Sequence, residues 1–124
     1  MTEIRVFVVD DALKMRGTLA EWLSALGKFR VVASATTEAE ANLWLDEHEG
    51  QWDLAVIDLL LDQGSGLGVI ARCHAQPKRG RVVVLSGYAT PGMRRRCIEL
   101  GADAVFDKSD LQALMDYCAD LAGQ

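Results

Sequence analysis

Short runs of Val, Ile and Leu that stay apolar at nearly every position recur along the chain. They lie at Ile4 to Val9, Phe29 to Ala33, Leu54 to Ile57 and Val82 to Leu85, with a weaker one at Ala104 to Phe106. A strand with one wet face alternates apolar with polar residues, whereas a strand without alternation is covered on both faces, as in a parallel sheet between helical layers. The intervening segments must then be the layers. Their apolar residues return at helical spacing: Leu19, Leu23 and Leu26; Ala41 and Leu45; Leu67, Ile70, Ala71 and His74; Met93, Cys97 and Leu100; Leu111, Leu114, Met115, Cys118 and Leu121. Thr37 with Glu40 and Ser109 with Gln112 have capping-box spacing, and Thr90 followed by Pro91 puts proline at a first helical position.

Five strands alternating with five helices, joined by right-handed crossovers, predict an α/β fold: a doubly wound five-stranded parallel sheet in the flavodoxin-like order 2-1-3-4-5. The 124 residues fit one domain, spanning 1–124 with no room for a second folded module, and the start at Met1 and short tail after Leu121 are read as those of a complete protein. Thirteen basic against eighteen acidic residues give a net charge of −5, which argues against nucleic acid as a partner, since phosphate contacts need clustered Lys and Arg. Cys73, Cys97 and Cys118 are odd in number and far apart, suggesting neither disulfides nor a zinc site and fitting a reducing, cytoplasmic setting. No apolar run is long enough to cross a bilayer, and no membrane partner is expected.

The polar residues that end these runs carry the chemistry. Asp10 and Asp11 follow the first strand, Asp58 the third, Ser86 the fourth and Lys108 the fifth. In a parallel sheet all those ends share one edge, and open α/β sheets bind ligands there, where the strand order reverses. Strands one and three adjoin at that reversal, so Asp10 and Asp11 should meet Asp58. Three adjacent carboxylates repel unless a cation holds them, and an all-oxygen donor set without Cys or His suits Mg²⁺. A carboxylate nucleophile can form an acyl phosphate, a reaction that needs in-line positioning and neutralised phosphoryl oxygens. Lys108 would supply charge and Ser86 a hydroxyl donor, while the Gly64 to Gly68 loop lets the backbone turn after Asp58.

Across its whole length the chain resembles the response-regulator receiver (CheY-like) family. The matching stretches are Val8-Val9-Asp10-Asp11, Asp58-Leu59-Leu60-Leu61 with Gly64-Ser65-Gly66-Leu67, Leu85-Ser86-Gly87, and Gly101-Ala102-Asp103 running to Lys108. The resemblance implies that Asp58 is the phosphoacceptor. It implies that Asp11 is a direct Mg²⁺ ligand, that Asp10 acts largely through water, and that the Leu60 backbone carbonyl completes the set. Lys108 would pair with the phosphoryl group, and Ser86 would turn inward to bond it, biasing the face of the fourth helix, fifth strand and fifth helix. The implied partners are a histidine kinase or histidine phosphotransfer protein and a downstream protein target. Whether phosphorylation drives homodimer formation is left open.

Three positions depart from the family pattern. Val105 stands where an aromatic residue usually precedes the lysine by three, and Phe106 should point to the opposite face. Ser109 replaces the proline that commonly follows the lysine, so a trans bond is expected. Asp62 replaces a proline four residues after the acceptor. Leu60 and Tyr88, two residues after Asp58 and Ser86, offer no base for water, which predicts a long-lived phosphorylated form.

Other residues have ordinary readings. Arg94, Arg95 and Arg96 read as a solvated face, or else as a docking patch for an acidic helix. His48 and His74 lie near helix ends, where a cation suits the macrodipole, and Trp22, Trp44 and Trp52 are expected at the edges of the helical layers. An aspartate-nucleophile phosphatase of the haloacid-dehalogenase type would need Asp-x-Asp after the first strand, where Ala12 now stands. A flavin carrier would need a hydroxyl-rich loop at the same place, where Asp10 and Asp11 would repel its phosphate. A receiver module excised from a hybrid kinase or larger regulator is the other alternative.

Overall fold

The computed structural model describes residues 3–123, so Met1 lies outside the described residues. The elements in chain order are β1 (Ile4–Val9), α1 (Leu13–Ala25), β2 (Phe29–Ala35), α2 (Glu38–Glu47), β3 (Leu54–Ile57), α3 (Gly66–Ala75), β4 (Arg81–Ser86), α4 (Pro91–Leu100), β5 (Ala104–Asp107) and α5 (Leu111–Ala122). All strand pairs are parallel, in the order β2-β1-β3-β4-β5. The predicted architecture is therefore observed.

The absence of alternation has the expected cause. Phe7, Val9, Ala55, Ile57, Val82 and Val84 face α2, α3 and α4 through Ala41, Leu45, Val69, Ile70, Cys73 and Cys97. The intervening residues Val6, Val8, Leu54, Val56, Val83 and Leu85 face α1 and α5 through Leu19, Leu23, Leu114, Met115 and Cys118. Both sheet faces are dry, so every position of β1, β3 and β4 near the centre gains from being apolar, at about 1.5–3 kcal/mol per fully buried side chain. Val105 joins the first side and Phe106 the second, as alternation predicts. Among the described residues the buried polar ones are Asp10, Asp58 and Ser86, all at one edge.

Several local expectations change. β2 runs two residues past Ala33, because its backbone still pairs with β1 at Val8↔Ser34 and Val9↔Ala35; as an edge strand it exposes Arg30 and Ser34, which hid its length. In α3 the inward face is Gly66, Val69, Ile70 and Cys73, at i, i+3, i+4 and i+7, while Ala71 and His74 are exposed. The phase is set at its start: a side chain at Gly66 would collide with the carbonyl oxygen of Asp58, so that residue must face the sheet.

The caps also differ in detail. Thr90 Oγ1 accepts the Met93 N–H at 3.2 Å ahead of Pro91, and Thr37 Oγ1 accepts the Glu40 N–H at 3.1 Å. Glu40, however, reaches back to the N–H of Thr36 (2.8 Å) instead of that of Thr37. The cap of α5 is Asp110, not Ser109: Asp110 Oδ1 accepts the Ala113 N–H, and the Ser109 hydroxyl donates to Asp107 Oδ1 at 2.7 Å.

No helix among the described residues is long and apolar enough to cross a membrane. All three thiols are free and buried, and burial pushes Cys73 up to about 12 and Cys118 up to about 11, which leaves them protonated and unreactive. Trp52 lies deeper than a layer edge, with its indole N–H donating to Gln76 Oε1 at 3.1 Å, whereas Trp44 stacks between Phe7 and His48, and Trp22 is exposed. His48 donates from Nδ1 to the Trp44 carbonyl at 2.8 Å. Arg95 and Arg96 are solvated, but Arg94 is not a free surface charge. Its guanidinium donates to the carbonyls of Ala89 (3.0 Å) and Val105 (2.8 Å), tying the loop before α4 to β5.

Candidate functional site

The parallel ladder extends one step past the named strands and fixes the site at the carboxyl edge. The register pairs Val9 with Ile57, and the next residue along, Asp58, donates its N–H to the Val9 carbonyl at 2.8 Å. Asp10 donates to Ala35 at 3.0 Å, and Lys108 to Ser86 at 3.0 Å. Each side chain is thus aimed by sheet hydrogen bonds rather than by a loose loop.

These bonds bring together the residues expected to meet. Carboxylate oxygens of Asp10, Asp11 and Asp58 lie within 4.8 Å of one another. Lys108 Nζ reaches over them, 2.9 Å from Asp58 Oδ2 and 3.2 Å from Asp10 Oδ2. Asp10 and Asp58 are almost fully buried, at 2% and 5% exposure, while Asp11 is partly exposed. Asp10 Oδ1 accepts the Ala12 N–H at 2.8 Å, and the Leu60 N–H points at Asp58 Oδ1 from a long 3.4 Å. Ser86 is wholly buried, and its hydroxyl oxygen accepts the Tyr88 N–H at 3.1 Å, so it is turned toward the following loop.

The charges do not balance. Three carboxylates face one ammonium, in a setting that strengthens both attraction and repulsion. Burial raises the Asp58 carboxyl above its usual range; Lys108 opposes that and Asp10 adds to it. Burial also pulls the Lys108 ammonium down, but the hydrogen bond and charge of Asp58, joined by Asp10, outweigh it and leave Lys108 raised. Burial, with Asp10 adding to it, thus biases Asp58 toward its neutral form, while Lys108, which meets two carboxylates, is biased toward its charged form.

A second cation fits this surplus. Mg²⁺ held at about 2.1 Å separates opposed ligands by roughly 4.2 Å, so three oxygens within 4.8 Å need only a small side-chain adjustment to share one ion. Hard oxygen donors, partial exposure of Asp11 and the absence of Cys or His from the cluster suit Mg²⁺ or Ca²⁺ rather than zinc.

The family described as "Response regulator receiver domain" matches residues 6–119. The chain is 31% identical over 110 residues to the gliding motility regulatory protein of Myxococcus xanthus, covering 87% of this chain but only 14% of that protein. It is 29% identical over 99 residues to the chemotaxis protein CheY of Listeria monocytogenes, covering 80% of this chain and 81% of that one. A response regulator from Burkholderia pseudomallei, solved with a phosphorylated aspartic acid, a calcium ion and citrate, superposes with a TM-score of 0.72 at 30% identity, over 86% of this chain and 60% of that chain.

Proposed function

This chain belongs to the response regulator receiver family, and from that premise we propose that Asp58 accepts a phosphoryl group in a self-catalysed reaction that requires a divalent cation. The observation that carries the proposal is the convergence of Asp10, Asp11 and Asp58 within 4.8 Å beneath an ammonium 2.9 Å from Asp58.

In the proposed step one Asp58 carboxylate oxygen attacks the phosphorus of a phosphohistidine on a histidine kinase or histidine phosphotransfer protein. A P–O bond forms, the P–N bond breaks, and the departing imidazole keeps the electron pair and takes a proton from solvent. Asp10, Asp11, Asp58 and the Leu60 carbonyl would hold Mg²⁺, which when bound neutralises phosphoryl oxygens. Lys108 gives up its contact with Asp58 Oδ2 to pair with the phosphoryl group. Ser86 leaves the Tyr88 N–H and donates its hydroxyl proton to a phosphoryl oxygen. The exposed Leu60 and Tyr88 bring no base toward the acyl phosphate, so the phosphorylated form is long-lived.

The output is a change in the α4–β5–α5 face that alters affinity for a downstream protein, with no further catalytic activity in this chain. The match to CheY over 81% of that protein supports a receiver that acts without an attached output domain. The 14% coverage of the gliding motility regulator supports a second reading, a module of a larger regulator. The test is incubation with Mg²⁺ and acetyl phosphate followed by intact-mass measurement. One added phosphoryl is expected, absent with chelator and absent in Asp58→Asn; no added mass in the parent protein rejects the proposal.

A further inference from the structure

Glu38 opens α2, far from Asp58 in sequence, and its side chain does not project to solvent as a first-turn acid usually does. Its carboxylate Oε1 accepts the N–H of Ser65 at 2.8 Å, and its own N–H donates to the Gln63 carbonyl at 3.1 Å. The loop after Asp58 is thus gripped at two points by one residue. The grip is built into the loop sequence: Gly64 adopts a φ of +85°, and a side chain at either Gly64 or Gly68 would run into the Glu38 side chain. The carboxylate lies in the first turn of α2 and beside the first turn of α3, where two helix N-termini favour negative charge.

What this grip holds is the backbone next to the acid cluster. Ser65 pairs with Leu60 across an antiparallel bridge, and the Gly66 N–H bonds the Leu59 carbonyl at 3.0 Å. Leu60 also meets the site through a long 3.4 Å contact of its N–H with Asp58. Holding Ser65 therefore holds Leu60.

We propose that Glu38 is a positioning residue for the cation site, clamping the 59–66 loop through Ser65 so that the Leu60 backbone would be held ready to offer its carbonyl to the ion. The assignment rests on the functional reading above. Without the clamp the carbonyl must be ordered at the moment of binding, which lowers cation affinity while leaving the three carboxylates in place.

The experiment is calorimetric titration of Mg²⁺ alone into the parent and into Glu38→Gln, Glu38→Asp and Glu38→Ala, with amide hydrogen exchange on the metal-free proteins. Glutamine keeps an oxygen at the same reach and should bind Mg²⁺ within about twofold of the parent, whereas aspartate ends about 1.5 Å short. Aspartate and alanine should weaken binding about tenfold, the low end for an outer-shell partner, and should speed exchange across 59–66 but not in α5. With acetyl phosphate, the phosphorylation rate at saturating Mg²⁺ should be unchanged and only the half-saturating Mg²⁺ should rise. If the alanine variant does not fold, the aspartate variant, which keeps the charge, carries the comparison. Parent-like affinity and exchange in Glu38→Asp would overturn the clamp alone; a parent protein that binds no Mg²⁺ would overturn the clamp and the functional reading together.

Discussion

Lys108 Nζ sits 2.9 Å from Asp58 Oδ2 and has no proline after it to force the backbone: the Lys108–Ser109 bond is trans, and the lysine N–H is pinned to Ser86. The ammonium occupies the position from which a phosphoryl oxygen on Asp58 would be met. It also competes with any cation drawn to the same acids. Lys108→Ala is accordingly expected to bind Mg²⁺ more tightly than the parent by calorimetry, yet to accept phosphate from acetyl phosphate at least about tenfold more slowly, since a charge-stabilising donor has been removed.

The raised Asp58 carboxyl has a stability consequence. Below the usual value of 3.8 the group is protonated in folded and unfolded chains alike, so it contributes no difference. Once pH rises past 3.8 the unfolded chain releases its proton first, and the metal-free fold loses stability until pH has passed the higher folded value. Asp58→Asn should therefore raise the Tm of the chelated protein at pH 7 by a few degrees and lose most of that advantage in acid. Added Mg²⁺ should raise the Tm of the parent much more than that of the variant.

Asp53 shifts the other way. Hydrogen bonds from the Arg5 side chain lower its carboxyl, against the opposing effect of burial, with the Arg5 backbone N–H at 2.8 Å adding to the lowering. Its contribution is complete above the usual 3.8 and disappears as pH falls through the lower folded value. The pair is more than a third exposed, so the effect is small. Asp53→Asn should be slightly less stable than the parent at pH 7 and should show a shallower loss on acidification below 3.8, measured by urea unfolding across pH.

Arg94 separates from its two neighbours in the same way. Removing it leaves the Ala89 and Val105 carbonyls without their guanidinium donor, so Arg94→Ala should cost about 1–2 kcal/mol in chemical unfolding. Arg95→Ala, at a solvated position, should stay within about 0.5 kcal/mol of the parent.

The contrast between these arginines marks how far the sequence is legible. The central strands were readable because burial on both faces leaves an unbroken apolar run, and Asp10, Asp58 and Lys108 could be placed because parallel strands end on one edge. Residues whose role depends on reaching a distant backbone group leave no such pattern. Arg94 looks like its solvated neighbours until β5 lies beneath it, and Glu38 looks like a first-turn acid until Ser65 is folded against it. The turn role of Gly64 and Gly68 is legible in the sequence, whereas the room they make for Glu38 is not. The choice between Ser109 and Asp110 as cap was equally hidden, because both are good caps and the Asp107 carboxylate claims the serine hydroxyl. In α3 the signal was present: Val69 and Cys73 flank Ile70 at core spacing, and they mark the buried face better than Ala71 and His74 do.

The decisive atom is the one that carries the phosphoryl group, and an aspartyl phosphate can be trapped chemically. Phosphorylate the protein with acetyl phosphate and Mg²⁺, reduce with borohydride, digest, and read the modified position by peptide mass. Homoserine at position 58, with Asp10, Asp11 and Asp62 unchanged, is the predicted result. Homoserine at another position, or a phosphoryl group that resists reduction and remains in Asp58→Asn, would contradict it.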